Sequence, residues 1–201
     1  MKAAPLRIGV LGSGKGSNLT AILRAVNEGK LNATVSIVLS DNPAAGILNI
    51  ARGVGVQAEA LPPSKFRTRL EPEIEALAAQ RLQAANTHLV VLAGYMRMIK
   101  SPLLEAFPNR IVNIHPSLLP AFPGLEAWRQ ALDAKVSQTG CTVHWVDAGM
   151  DTGDIIAQSR VPVLATDTAE TLHARIQTAE HELYPACLAQ IVEQQQRLSP
   201  V

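Results

Sequence analysis

The sequence predicts an α/β protein: a mostly parallel twisted sheet with helices on both faces. Two observations carry that prediction. Apolar runs of strand length, such as Leu6 to Leu11 and Leu89-Val90-Val91-Leu92, alternate with longer stretches at helical spacing. The centres of those runs, Ile8 to Leu11 and Leu89 to Leu92, carry no polar side chain, as strands covered on both faces require and as parallel strands usually show.

The elements follow in order. Leu6 to Leu11 reads as a buried strand, then a Gly/Ser-rich turn. From Ser17 the residues Leu19, Ile22, Leu23 and Val26 recur at helical spacing, with Gly29 as a stop signal. Val35 to Leu39 is a second strand ending in the turn Asp41-Asn42-Pro43. Ala45 to Val54 is a helix, and Val56 to Leu61 a short strand before Pro62-Pro63. Phe66 to Ala85 is a long helical pattern in which Pro72 forces a late start or a kink. His88 to Ala93 is a strand, Pro102 to Phe107 a short helix and Ile111 to His115 a strand. Gly124 to Ala134 is helical. Gly140 to Val146 alternates and predicts an edge or half-exposed strand. Ile155 to Val163 contains Pro162, which places it at a sheet edge or at a strand end. Asp167 and Glu170 have capping-box spacing before a helix to about Arg197, which Pro185 should kink or split. No repeat or linker divides the chain, so one domain over residues 1–201 is expected.

Composition narrows the function. Apolar residues at 47% and charged residues at 17% suit a globular protein whose core, with aromatics at 3%, is aliphatic. A formal charge of +1 disfavours nucleic acid as the main partner. Cys141 and Cys187 have neither CxxC spacing nor a framework of pairs, which argues against zinc and disulfides and for buried thiols in a reducing compartment. The apolar run near the amino terminus is too short for a secretory signal or a membrane span, so a cytoplasmic protein is expected.

The strongest chemical signal is Asn113-Ile114-His115-Pro116-Ser117-Leu118-Leu119-Pro120. Residues two apart on a strand share a face, and Pro116 ends the ladder. Asn113 and His115 thus stand together at a strand end, a donor pair suited to an oxyanion. Taken singly, each also fits an ordinary buried or turn-forming role. Gly12-Ser13-Gly14-Lys15-Gly16-Ser17-Asn18 joins a strand to a helix, where glycines permit close approach and free amides favour an anion. It matches neither a Walker loop nor GxGxxG. A plain turn with Ser17 or Asn18 as helix cap is the alternative. Asp147, Asp151 and Asp154 form an Asp/Gly-rich turn; metal binding there lacks an EF-hand spacing or a His/Cys cluster. His144, His173 and His181 show no ligand pattern. Arg97, between Met96 and Met98 at a strand end, is either a surface residue or a cleft cation for an anionic or flat heteroaromatic ligand.

Together these segments resemble the phosphoribosylglycinamide formyltransferase family, over nearly the whole chain. Ser13 to Leu19 is similar to the family's phosphate loop, and Leu92-Ala93-Gly94-Tyr95-Met96-Arg97 to its folate-side strand. Asn113 to Pro120 and Asp151-Thr152-Gly153 resemble its catalytic segments, and Gln177 to Glu180 the helix that meets the glycinamide. Lys15 stands at a variable position, while Glu126, Trp128 and Asp154 depart from the pattern of many relatives.

The resemblance implies a Rossmann-like formyltransferase fold. It also implies formyl transfer from 10-formyltetrahydrofolate, as co-substrate, to the amine of glycinamide ribonucleotide in purine synthesis, with no metal. It assigns Asn113, His115 and Asp151 to catalysis, and Gly16, Ser17, Asn18, Gln177 and Glu180 to the glycinamide ribonucleotide. Arg69, Met96, Arg97, Met98, Ile99 and Asn113 are assigned to the folate. In this scheme Asn113 donates to the oxyanion, and the Asp151 carboxylate favours the charged form of His115. The implied partners are small molecules, with no nucleic acid and no membrane, in a monomer or homodimer. Formyltetrahydrofolate hydrolysis, methionyl-tRNA formylation and a non-catalytic nucleotide-binding module are the other readings. The first two enzymes usually carry an added domain for which 201 residues are expected to leave no room.

Overall fold

The structure is a computed structural model in which residues 4–198 are described; Met1 to Ala3, part of the amino-terminal stretch read above, and residues 199–201 lie outside them. The strands are β1 (Leu6–Leu11), β2 (Ala33–Ser40), β3 (Ala58–Ala60), β4 (Leu89–Leu92), β5 (Ile111–His115), β6 (Gln138–Trp145) and β7 (Ile155–Pro162). The helices are α1 (Ser17–Asn27), α2 (Gly46–Gly53), α3 (Pro72–Ala84), α4 (Ser101–Ala106), α5 (Ala127–Asp133) and α6 (Ala169–Leu198). The strands form one sheet in the order β3-β2-β1-β4-β5-β6-β7. β3, β2, β1, β4 and β5 are parallel to one another; β6 and β7 add antiparallel pairings. The predicted fold class is the observed one.

Strand alternation sorts the core into two layers. Ile8, Val10, Leu89, Val91, Val112 and Ile114 pack with α1, α2 and α6. Leu11, Val90, Leu92 and Ile111 face the other side, with α3 and α4. Asn113 and His115 continue the Ile111 side of β5, so two polar side chains extend an apolar face beyond its last core residue. Tyr184 of α6 is fully buried, its hydroxyl 3.0 and 3.1 Å from the carbonyls of Leu92 and Val112. It bridges β4 and β5 from the opposite layer.

The strand order reverses between β1 and β4, and ligands of open α/β sheets bind at the carboxyl ends of strands beside such a reversal. Three segments converge there: the turn after β1, the segment after β4 and the end of β5.

Four local expectations are corrected, and one of the two outcomes expected of Pro72 is observed. β6 is interior, not an edge, and six of its eight residues are buried. Its alternation comes from polar groups satisfied inside the protein: the Thr142 hydroxyl donates to Ser117 O (2.6 Å) and accepts from Leu119 N (3.0 Å). α3 makes the expected late start, at Pro72, a residue whose fixed φ and missing N–H suit a helix's first position. α5 starts at Ala127 rather than at the expected Gly124. The reciprocal cap of α6 joins Thr168 and Thr171, while Asp167 is ion-paired to Arg175. Pro185 does not split α6.

Candidate active site at the end of the fifth strand

The catalytic candidates meet. His115 Nδ1 lies 3.4 Å from Asp151 Oδ2, and its Nε2 lies 2.9 Å from the Phe122 carbonyl. Both ring nitrogens therefore face oxygen acceptors, an arrangement satisfied by a ring carrying a proton on each. Asp151 Oδ2 also accepts from the Gly124 amide (2.9 Å). Asp151 has a left-handed backbone (φ 56), a conformation Asp tolerates better than most residues. The turn reaches it through Gly153, where an added Cβ would come within 1.9 Å of the Trp145 carbonyl.

His144 was not legible as a member of this site. It lies opposite Asn113 in the β5–β6 register, so the two side chains share a face. Its Nε2 is 3.2 Å from Asn113 Nδ2 and 3.6 Å from Asp151 Oδ1. Burial pushes the His144 imidazole below its ordinary range, against the opposing pulls of the Trp145 carbonyl and Asp151; the charge of His115 lowers it further. The neutral ring donates from Nδ1 to Trp145 O (2.8 Å) and accepts from Asn113 through Nε2, a tautomer assigned from these partners. One amide hydrogen of Asn113 is thereby committed, and the other remains for a ligand oxygen. Only strand pairing connects these residues; a reading that had paired β5 with β6 could have found His144.

The turn after β1 forms the second part. Gly16, not Ser17 or Asn18, caps α1, with φ 88, ψ 22 and no side-chain capping bond. A Cβ at Gly16 would lie 2.8 Å from Ile47 Cα. The first amides of α1 are thus left to an incoming anion. Asn18 is buried and donates through Nδ2 to Glu180 Oε2 (3.1 Å), while its buried Oδ1 has no partner among the described residues. An orphan acceptor beside a buried carboxyl fits a ligand bearing hydroxyl or amine donors. Gln177 lies one turn before Glu180 on α6 and is half-buried.

Burial pushes the Glu180 carboxyl up to about 7, against the lowering effect of the Asn18 amide. The unfolded chain ionises this group near 4.5 and the folded chain only near 7, so stability falls as pH rises across that interval and levels off above it. In the ligand-free protein, Glu180→Gln is expected to flatten this slope. It should gain up to about 3 kcal/mol on the parent above pH 7 and nothing below pH 4.5. Thermal melts across that range check it; parallel pH profiles for both proteins would show that Glu180 is not the titrating group.

The third part follows β4. The Met96 amide donates to Ser13 Oγ (3.0 Å), and Ser13 Oγ donates to Asp41 Oδ1 (2.6 Å), tying this segment to the turn after β1. Arg97 is not a cation left open in the cleft. Its guanidinium binds Asp41 Oδ2 and the carbonyls of Phe66 and Arg69. It thus holds the 66–69 loop against this segment, while Arg69 forms a parallel bridge with Met98. Met96 is exposed and Ile99 buried. Asp41, a further residue the sequence reading missed, sits just past the carboxyl end of β2, where its neighbours in the sheet also end.

Asp147 accepts from Gly149 N and Thr152 Oγ1, the turn role expected of it. Trp128 stacks on His173 at 3.7 Å. Among the described residues no group of three or more His, Cys, Asp or Glu side chains is placed to hold a metal, and no helix is long and apolar enough to cross a membrane.

Known proteins share this architecture. The formyl transferase family model matches residues 6–188. Phosphoribosylglycinamide formyltransferase of Bacillus subtilis is 39% identical over 186 residues, covering 92% of this chain and 94% of that protein. The trifunctional purine biosynthetic protein adenosine-3 of Drosophila pseudoobscura is 42% identical over 91% of this chain, which spans only 13% of that longer protein. Among solved structures, glycinamide ribonucleotide transformylase 1 of Symbiobacterium toebii superposes with a TM-score of 0.91 at 50% identity, covering 96% of this chain and 90% of that one. Phosphoribosylglycinamide formyltransferase of Bacillus halodurans gives 0.90 at 42% identity, covering 97% and 100%. By sequence and by fold, the chain belongs to the formyl transferase family.

Proposed function

We infer that the protein transfers the formyl group of 10-formyltetrahydrofolate to the amine of N1-(5-phosphoribosyl)glycinamide, as the names of its relatives indicate for them. The observation that carries the reading is Asp151 facing two imidazoles while one of them, His144, orients the Asn113 amide. An amide donor and an imidazole beside a carboxylate suit acyl transfer through a tetrahedral intermediate.

In this reading the Gly16, Ser17 and Asn18 amides hold the acceptor's phosphate. Asn18 Oδ1 and Glu180 take its ribose hydroxyls or glycinamide nitrogen, with Gln177 alongside. Met96 to Ile99 lie against the pterin, with Arg69 at the far end of the folate. Arg97 acts by fixing that wall rather than by touching an anion. When the acceptor amine attacks the formyl carbon, the free Asn113 hydrogen meets the developing oxyanion. His115 supplies positive charge beside it, and Asp151 balances that charge. The proton lost by the amine leaves by way of Asp151 or a water it positions, and the leaving folate nitrogen gains one.

A cytoplasmic setting belongs to the same proposal. Cys141 and Cys187 are free and buried, their thiols pushed up to about 12 and about 11 chiefly by burial, so neither is a reactive thiolate.

The test is to incubate the purified protein with 10-formyltetrahydrofolate, with and without phosphoribosylglycinamide. Formylated acceptor and tetrahydrofolate should appear together, and only when the acceptor is present. Loss of the formyl group without acceptor would identify a hydrolase instead.

A further inference from the structure

Two basic side chains beside the acceptor site have no part in the mechanism: Lys15 in the turn after β1, and His173 on α6. His173, Gln177 and Glu180 recur at helical spacing, so they share one stripe of α6. That stripe runs along the turn after β1. Its Glu180 end meets the Asn18 amide, and its His173 end feels the charge of Lys15. Gly16 and Ser17, whose amides are assigned to the acceptor's phosphate, lie between Lys15 and Asn18 in the chain.

The imidazole of His173 is held in place. Trp128 of α5 covers one of its faces, with ring centroids 3.7 Å apart and planes 4° from parallel. Both residues are half-buried. The stack fixes the plane of the imidazole and leaves its nitrogens at the edge, where neither has a hydrogen-bond partner among the described residues. Lys15 is exposed and pairs with no carboxylate among the described residues. The other charges around the stack are engaged with one another. Arg129, next to Trp128, lies 3.7 Å from Glu126 and acts on Glu170, one turn before His173. Burial, and then the Lys15 charge, hold the His173 ring below its ordinary range. An anion arriving beside an unpaired ammonium and an imidazole reverses that balance, because it favours the charged ring.

We propose that Lys15 and the Trp128-backed His173 form the outer wall of the acceptor's phosphate site, and that His173 takes up a proton from solvent as the phosphomonoester binds. The proposal rests on the assignment of Gly16 to Asn18 to that phosphate. The indole face supports the imidazolium once it forms. A ring N–H then donates to a phosphate oxygen on the side away from the α1 amides, a charge-assisted bond. The pair sets affinity for the acceptor and the pH dependence of that affinity.

Calorimetric titration tests this with phosphoribosylglycinamide and with ribose 5-phosphate, which carries the phosphomonoester without the amine. The parent and His173→Gln are compared in buffers of different ionisation heat, which reports the protons taken up. A phosphomonoester itself ionises near about pH 6, so the difference between the two proteins is the quantity read. At about pH 6.5 the parent should bind both ligands about tenfold more tightly than the variant, and take up more protons. By about pH 8.5 that advantage should shrink toward none, since the ring then gains no proton. In proton NMR the His173 ring, identified by its loss in the variant, should titrate at higher pH with ribose 5-phosphate bound than without. Lys15→Ala should raise the ligand-free midpoint and weaken both ligands. Equal affinity and equal proton uptake in the parent and His173→Gln would overturn the proposal and leave the stack as packing between α5 and α6. So would an unmoved His173 midpoint, or failure of both ligands to bind the parent. Formyl transfer is assayed separately: a protein that binds phosphomonoesters in this way yet transfers no formyl group fails the functional reading and not this one.

Discussion

Replacing Asp151 by Asn is expected to lower kcat by about 10²–10⁴-fold, the range of a positioned acid–base group, while both substrates still bind. The carboxylate meets His115 Nδ1 at 3.4 Å, His144 Nε2 at 3.6 Å and the Gly124 amide at 2.9 Å. Asn has the same shape and tolerates the left-handed backbone at this position, so the turn should persist. Its single oxygen can still accept from Gly124. Its NH2 then faces His144, and nothing balances a positive His115. The variant keeps the walls of the site and loses the charge that its chemistry uses. Steady-state kinetics, together with binding of each substrate alone, decide the matter. Near-normal turnover would remove Asp151 from the chemistry, and a raised KM with kcat intact would make it a binding group.

The sequence made this site half visible, for physical reasons. Asn113 and His115 are two apart on one strand, so their shared face follows from local geometry alone. The turn from Gly12 to Asn18 could be read as a candidate anion site because glycine spacing and a helix start are also local. The alternative of Ser17 or Asn18 as helix cap is not realised, and a left-handed glycine cap such as Gly16 leaves no side-chain signature. His144 and Asp41 act across the sheet, through β5–β6 register and through neighbouring strand ends. No periodicity along the chain reports such partners. β6 was misread for a related reason: Thr142 and His144 are both buried, yet they give the strand the polar alternation of an exposed one. The 66–71 stretch has helical spacing, but its carbonyls are held by Arg97 and Ser64, and Arg97 lies some thirty residues away. Long-range hydrogen bonding there overrides local propensity.

Asn113→Ala should cost about 2.7–4 kcal/mol of transition-state stabilisation, or about 10²–10³-fold in kcat, as loss of one oxyanion donor typically does. The size of that effect depends on His144. A neutral imidazole with its proton on Nδ1 presents a lone pair at Nε2, and that lone pair fixes which end of the Asn113 side chain is nitrogen. The second amide hydrogen is then directed before substrate arrives, so the donor needs no reorientation when charge develops on the formyl oxygen. Asn113→Asp sharpens the test, because the shape is kept while the donor becomes a charged acceptor facing both the His144 lone pair and the oxyanion. It should be at least as slow as the Ala variant. Asn113 is half-buried and outside both core clusters, so neither variant should unfold the protein. Single-turnover measurements isolate the chemical step. An Asp variant faster than the Ala variant would mean that residue 113 positions the folate without donating to the oxyanion.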